Sequence, residues 1–230
     1  MKQRIRSTVQ RSIRAGIKRF GFEVIRGPEE DNTTSKVVYL KSRFDSIQDI
    51  PGDVVECGVG KGNSFFKLCY LAQVEGRNRT VWGFDSFEGF PAPAPEDASP
   101  RNPKAGDWKV ATVDSMYRRL ALSGLLDRRF LQNNVRLMKG LFDQSLVQYS
   151  GPQVAFLHLD VDLYESYKTT LEFFWPRVAP GGVVLFDESR QEKALRNWPG
   201  ASKAIDEFLG GLRSQIQHDP YVDRYFIRKQ

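Results

Sequence analysis

Apolar residues along this chain fall into two kinds of block. Short continuous runs at 53–57, 80–84, 135–139, 154–159 and 183–186 read as strands buried on both faces, since a half-exposed strand would alternate. Between them apolar positions recur at helical spacing. Such segments lie at about 64–72, at 113–126 (Met116, Leu120 and Leu122 to Leu126), at 164–174 before Pro176, and at 202–212. Residues 33–50 read as a further helix, with Val37, Val38, Leu40 and Phe44 inward, and 215–218 with 224–228 as a closing antiparallel pair. Strands alternating with helices predict an α/β fold, a mostly parallel sheet with helices on both faces. Upstream, Ile5, Val9, Ile13, Ile17 and Phe20 mark an amphipathic helix over 4–20, and Gly27 to Asn32 reads as a linker. The chain therefore divides into an N-terminal arm, 1–32, and a domain, 33–230.

One segment breaks the rhythm. Residues 89–112 hold five of the twelve prolines (Pro91, Pro93, Pro95, Pro100 and Pro103) and show no periodicity. So long a loop directly after a strand end is expected to act as a lid over a site.

Charge changes the picture of the arm more than of the domain. The formal charge is +6, from 34 Lys+Arg against 28 Asp+Glu. Residues 1–26 carry a net +7 and the remaining 204 a net −1. A protein gripping nucleic acid with its whole surface is therefore not expected. Cys57 and Cys69 are too far apart for a C-x-x-C motif and too few for a metal cage, which points to a reduced, cytoplasmic setting. No run approaches the ~20 apolar residues of a membrane span.

The candidate chemistry sits at strand ends, where ligands bind in open parallel sheets. Glu56-Cys57-Gly58-Val59-Gly60-Lys61-Gly62 is a glycine-rich strand-to-helix turn, which alone can be purely structural. Asp85, at the end of the next strand, sits where a carboxylate accepts bonds from ribose hydroxyls, and the pair fits a nucleoside-containing cofactor. No G-K-[ST] follows Gly62, which excludes a phosphate-binding P-loop. Asp160, Asp162, Asp187 and Glu188 form a second group. Carboxylates on adjacent strand ends repel unless a cation lies between them, and oxygen ligands select a hard ion such as Mg²⁺. Asp162 is equally placed to cap the helix that follows. His158 shares a strand face with Asp160 and can act as a base or as a hydrogen-bonded core residue.

These residues together carry a resemblance. Val54-Val55-Glu56-Cys57-Gly58-Val59, Gly83-Phe84-Asp85-Ser86-Phe87-Glu88-Gly89-Phe90-Pro91, Leu157-His158-Leu159-Asp160 through Asp162-Leu163-Tyr164-Glu165-Ser166, and Pro180-Gly181-Gly182 to Asp187 resemble the macrocin O-methyltransferase family over about residues 35–212. Its members are class I, S-adenosylmethionine-dependent, Mg²⁺-dependent enzymes that methylate sugar hydroxyls of glycosylated natural products. The resemblance implies a Rossmann-like class I methyltransferase fold, a seven-stranded sheet of order 3-2-1-4-5-7-6. It places Glu56, Gly58 and Gly60 around the methionine portion of S-adenosyl-L-methionine and Ser64 near its carboxylate. Asp85 with Ser86 falls at the ribose, and Gly140 with Phe142 beside the adenine. Asp160 becomes a metal ligand and the base, joined by Asp187 and Glu188 at a position where the family pairs two aspartates.

The reaction this implies is methyl transfer to a hydroxyl of a small-molecule acceptor, a glycoside, with a catechol-type metal-dependent O-methyltransferase as the alternative. Asp160, or second to it His158, would take the proton. A stripe of Ile and Val on the arm implies burial in a homodimer or higher homo-oligomer, ahead of a cover over the acceptor or a weak contact with an anionic membrane surface.

Overall fold

The computed structural model describes residues 32–230. The amphipathic arm expected at 4–20 lies outside those residues. Residues 36–230 form one compact unit. In chain order its elements are helix α1 (Asn32–Asp45), β1 (Asp53–Cys57), α2 (Asn63–Glu75), β2 (Val81–Asp85), α3 (Val113–Leu122), α4 (Arg128–Asn134) and β3 (Val135–Lys139). Then come α5 (Phe142–Ser145), β4 (Val154–Leu159), α6 (Tyr164–Phe174), β5 (Val178–Phe186), α7 (Glu192–Asn197), α8 (Pro199–Leu209), β6 (Gln217–Asp219) and β7 (Arg224–Arg228).

The seven strands join in the order 3-2-1-4-5-7-6, as the family resemblance implied. β1 to β5 run parallel, while β7 pairs antiparallel with both β5 and β6. The central strands β1 and β4 are buried along their whole length, which is why they read as unbroken apolar runs. Alternation divides their side chains between two layers. Val54 and Phe156 pack with Leu40, Phe44, Phe65, Leu68, Met116 and Leu120 of α1–α3. Val55, Leu157 and Leu159 pack on the other face with Tyr167, Leu171, Phe174 and Ile205 of α6 and α8.

Several expectations shift. Val37 and Val38 are exposed, at 42% and 63%, while Tyr39, Leu40, Phe44 and Ile47 turn inward. The inward stripe follows helical spacing rather than hydrophobicity alone. Pro180-Gly181-Gly182 lies inside β5 rather than before it, because the strand begins at Val178. The segment expected as one helix over 113–126 ends at Leu122, and the short polar helices α4 and α7 carried no apolar period to mark them.

Candidate functional site

Parallel register brings the strand ends together. Glu56 pairs with His158 across β1 and β4, and His158 with Leu185 across β4 and β5, so Asp160 and Asp187 follow immediately beyond the same edge. The chain leaves β1 through Gly58, whose N–H donates to Phe84 O (2.8 Å), while Asp160 N–H donates back to Cys57 O (3.0 Å). At Gly58 φ is +87°, and a Cβ there would lie 1.8 Å from the Asp160 carbonyl oxygen. Only glycine fits, so the glycine turn and the Asp160 segment touch backbone to backbone.

On the turn side, Asp85 organises the backbone. Its Oδ2 accepts from Gly60 N–H (2.8 Å) and its Oδ1 from Phe87 N–H (2.6 Å), and each oxygen keeps a lone pair for a further donor. Ser86 is used by its own turn: its hydroxyl donates to Gly89 O (2.6 Å) and accepts from Glu88 N–H (3.0 Å). Ser64 is buried in the first turn of α2. Gly140 N–H donates to Asp85 O (3.0 Å), and Phe142 opens α5, half-buried against the core layer that includes Phe84 and Leu146. Glu56 is fully buried. Its Oε1 lies 2.8 Å from His158 Nδ1, while its Oε2 has no partner, an orphaned acceptor that suits a cationic ligand group. Phe87, Thr112, Val113, Asp114 and Lys139 line a cavity of about 230 Å³ beside Asp85's turn.

On the other side stand the carboxylates. Asp160, Asp162 and Glu188 can offer oxygens within 4.8 Å of one another, and so can His158, Asp160 and Asp187 with one ligand atom each. Burial, together with Asp187, pushes the Asp160 carboxyl up to about 6. Burial and the neighbouring Asp160 push Asp162 well above the usual carboxylate range, and burial with Asp162 does the same to Glu188. Three oxygen donors that resist charging side by side are the donor set a hard divalent cation stabilises, so the residues fit Mg²⁺.

Asp187 differs. Burial opposes its charge, but Lys36 and Arg224 outweigh burial and hold it well below the usual range. Lys36 Nζ lies 2.8 Å from Asp187 Oδ1, and Arg224 Nε donates to the same oxygen at 3.2 Å. His158 Nε2 stands 3.9 Å from it. Burial would discharge His158, yet its bond to Glu56 together with the charges of Glu56, Asp160 and Asp187 outweighs that and raises its pKa. Glu188 Oε2 is 2.9 Å from the hydroxyl of Tyr167, which also bonds Leu159 O (3.0 Å).

Asp162 is not the cap of α6. It sits in the left-handed region (φ +59°), and the first helical N–H, at Tyr164, donates instead to Asp97 Oδ1 (2.8 Å). Sequence reasoning missed Asp97, Lys36, Arg224 and Tyr167. Each acts across a long stretch of chain, and only a proline-rich loop at 89–112 hinted at the first.

A family model described as Macrocin-O-methyltransferase (TylF) matches residues 39–211. Among curated proteins, demethyldecarbamoylnovobiocin O-methyltransferase of Streptomyces niveus is 34% identical over 170 residues, covering 70% of this chain and 59% of that protein. Mycinamicin III 3''-O-methyltransferase of Micromonospora griseorubida is 29% identical over 150 residues, 60% of this chain and 56% of that protein. The chain thus spans somewhat over half the length of these relatives. Among solved structures, the O-methyltransferase NovP superposes with a TM-score of 0.70 at 25% identity, covering 85% of this chain and 80% of that one. The calicheamicin methyltransferase CalS11 does so at 0.67 and 24% identity, over 85% and 79%, a likeness of fold.

Proposed function

The chain belongs to the macrocin O-methyltransferase family, and we propose that it transfers the methyl group of S-adenosyl-L-methionine to a hydroxyl of a sugar or glycosylated natural product. The curated relatives bear names of O-methyltransferases acting on such molecules. The observation that carries the reading is the backbone contact of Gly58 with Asp160. It joins the turn suited to a nucleoside cofactor to the carboxylates suited to a cation, which is the adjacency that in-line transfer between two bound partners requires.

S-adenosylmethionine would supply an already activated sulfonium methyl. Asp85 would accept the ribose hydroxyls with the lone pairs left by Gly60 and Phe87, and the free Oε2 of Glu56 would face the amino group. Phe142 and Gly140 would border the adenine, and Ser64, at the start of α2, the methionine carboxylate. Mg²⁺, when bound, would acidify a coordinated hydroxyl and stabilise its developing negative charge. Asp160, Asp162 and Glu188 are its natural holders, with Asp187 steadied at the edge by Lys36 and Arg224. Asp160, next to the glycine turn, takes the acceptor's proton. His158, tied to Glu56 through Nδ1, orients that carboxylate.

The test is calorimetry of S-adenosylmethionine binding with and without Mg²⁺, followed by labelled-methyl transfer to panels of glycosides and catechols with an EDTA control. Cofactor binding with EDTA-sensitive transfer to a glycoside is expected. Transfer to catechols alone, or undiminished in EDTA, rejects the glycoside or the metal reading respectively.

A further inference from the structure

The helix that follows the carboxylates begins without a cap of its own. α6 starts two residues after Asp162, its neighbouring N-cap residue Leu163 contributes no side-chain bond, and the Asp162 backbone is held in the left-handed region. The first N–H groups of a helix lack intrahelical acceptors and must find others. Here the acceptor comes from the 89–112 segment. Asp97 is 2% exposed, and both its oxygens are committed: Oδ1 accepts from Tyr164 N–H (2.8 Å), Oδ2 from Ala94 N–H (2.9 Å). The start of α8 closes on the same group, since a Cβ at Gly200 would stand 2.0 Å from Asp97 Oδ1.

The rest of the segment is fastened beside this point. Ser99 Oγ donates to Asn197 O (2.9 Å), and Lys203 Nζ lies 3.0 Å from Glu96. The Phe90 ring meets Trp198 edge-on at 5.8 Å. Arg101 lies over Trp198 (5.4 Å), and its positive charge reaches Asp162. The segment therefore delivers an anion to the helix end, while the Arg101 charge is held on Trp198 and takes no part in that hold.

We infer that Asp97 is a positioning residue: by holding the first turn of α6 it fixes the Asp160–Asp162 segment, so that docking of the 89–112 loop and the holding of a cation by the carboxylates are one linked event. The geometry is a carboxylate on a helix N-terminus, favoured by both hydrogen bonding and the helix dipole. Its consequence is reciprocal: whatever orders the loop, such as an acceptor beneath it, tightens the cation, and the cation tightens the loop. This rests on the cation reading above.

The test compares Asp97→Ala, Asp97→Asn and Ser99→Ala with the unaltered protein. Amide hydrogen exchange at residues 160–166, Mn²⁺ affinity and S-adenosylmethionine affinity are each measured. Asp97→Ala is expected to speed exchange there and weaken Mn²⁺ by about five- to tenfold, the scale of a lost helix cap, with cofactor affinity within about twofold. Asp97→Asn keeps an acceptor for Tyr164 and should recover most of the Mn²⁺ affinity. Ser99→Ala removes a loop fastening without touching α6 and, through the same linkage, should weaken Mn²⁺ by less than Asp97→Ala does, with cofactor affinity left in place. Unchanged exchange in Asp97→Ala, or equal weakening of Mn²⁺ and cofactor, overturns the inference. If Asp97→Ala does not fold, Gly200→Ala, which presses a methyl on Asp97, must show the same selective loss of Mn²⁺ affinity or the inference fails. If the unaltered protein binds no divalent cation, the metal reading falls, and the exchange data still judge Asp97 separately.

Discussion

At Asp160, burial and the charge of Asp187 act in one direction and lift the carboxyl to about 6. The unfolded chain titrates near 3.9, so the folded state binds this proton more tightly. Stability from this group is present below the unfolded value and is lost as pH rises through about 6. His158, raised by Glu56 against burial, has the same sign at higher pH. Asp187, held low by Lys36 and Arg224, has the opposite sign but titrates below this window. The thermal midpoint of the protein in EDTA is therefore expected to fall between about pH 4.5 and 7. Mg²⁺ should remove most of that fall, and Asp160→Asn in EDTA should lessen it without abolishing it, because Asp162 and Glu188 carry the same sign, both checked by calorimetry across pH. Asp160→Asn should also lose Mg²⁺-dependent methyl transfer by at least about 100-fold while binding S-adenosylmethionine nearly normally, the pattern expected of a lost base and ligand. Asp85→Ala should do the reverse, weakening the cofactor by about 1.5–3 kcal/mol as bonds to a charged acceptor are lost, read by titration calorimetry.

Among elements, the junctions decide more than the strands themselves. β1 and β4 meet beyond their ends because Gly58 has no side chain and tolerates φ +87°. Gly58→Ala must move Asp160 or strain the turn, and is expected to cost about 3 kcal/mol or more in denaturant unfolding. The strands were legible as continuous apolar runs, and β1, β3 and β4 match their expected bounds. α4 and α7 were not, since short helices set by surrounding contacts carry no apolar period. The cap of α6 shows the same limit. Local spacing pointed to Asp162, but a distant carboxylate with better geometry satisfies the N–H.

For the whole domain, binding and stability are linked. A ligand present at about 100 times its Kd stabilises by about 2.7 kcal/mol, which for a chain of this size corresponds to about 5–10 °C in Tm. S-adenosylmethionine and Mg²⁺ should each raise the midpoint on that scale, and together by more than either alone if the glycine turn and carboxylates are coupled through their backbone contact. Differential scanning calorimetry with each ligand singly and jointly measures this. Among the described residues no helix is long and apolar enough to cross a membrane.

The order of apolar runs and helical stripes determined an α/β sheet, and the motifs Glu56 to Gly62, Asp85, Asp160 to Asp162 and Asp187-Glu188 determined which strand ends carry chemistry. These features are local: burial period, glycine tolerance and residue type are properties of adjacent positions. Tertiary structure alone decided which carboxylates face one another, that Lys36 and Arg224 neutralise Asp187, that His158 is tied to Glu56, and that Asp97 begins α6. Such pairings depend on distances of a few ångströms between residues far apart in the chain. Electrostatic and hydrogen-bond energies change sharply over those distances, and only the folded sheet sets them.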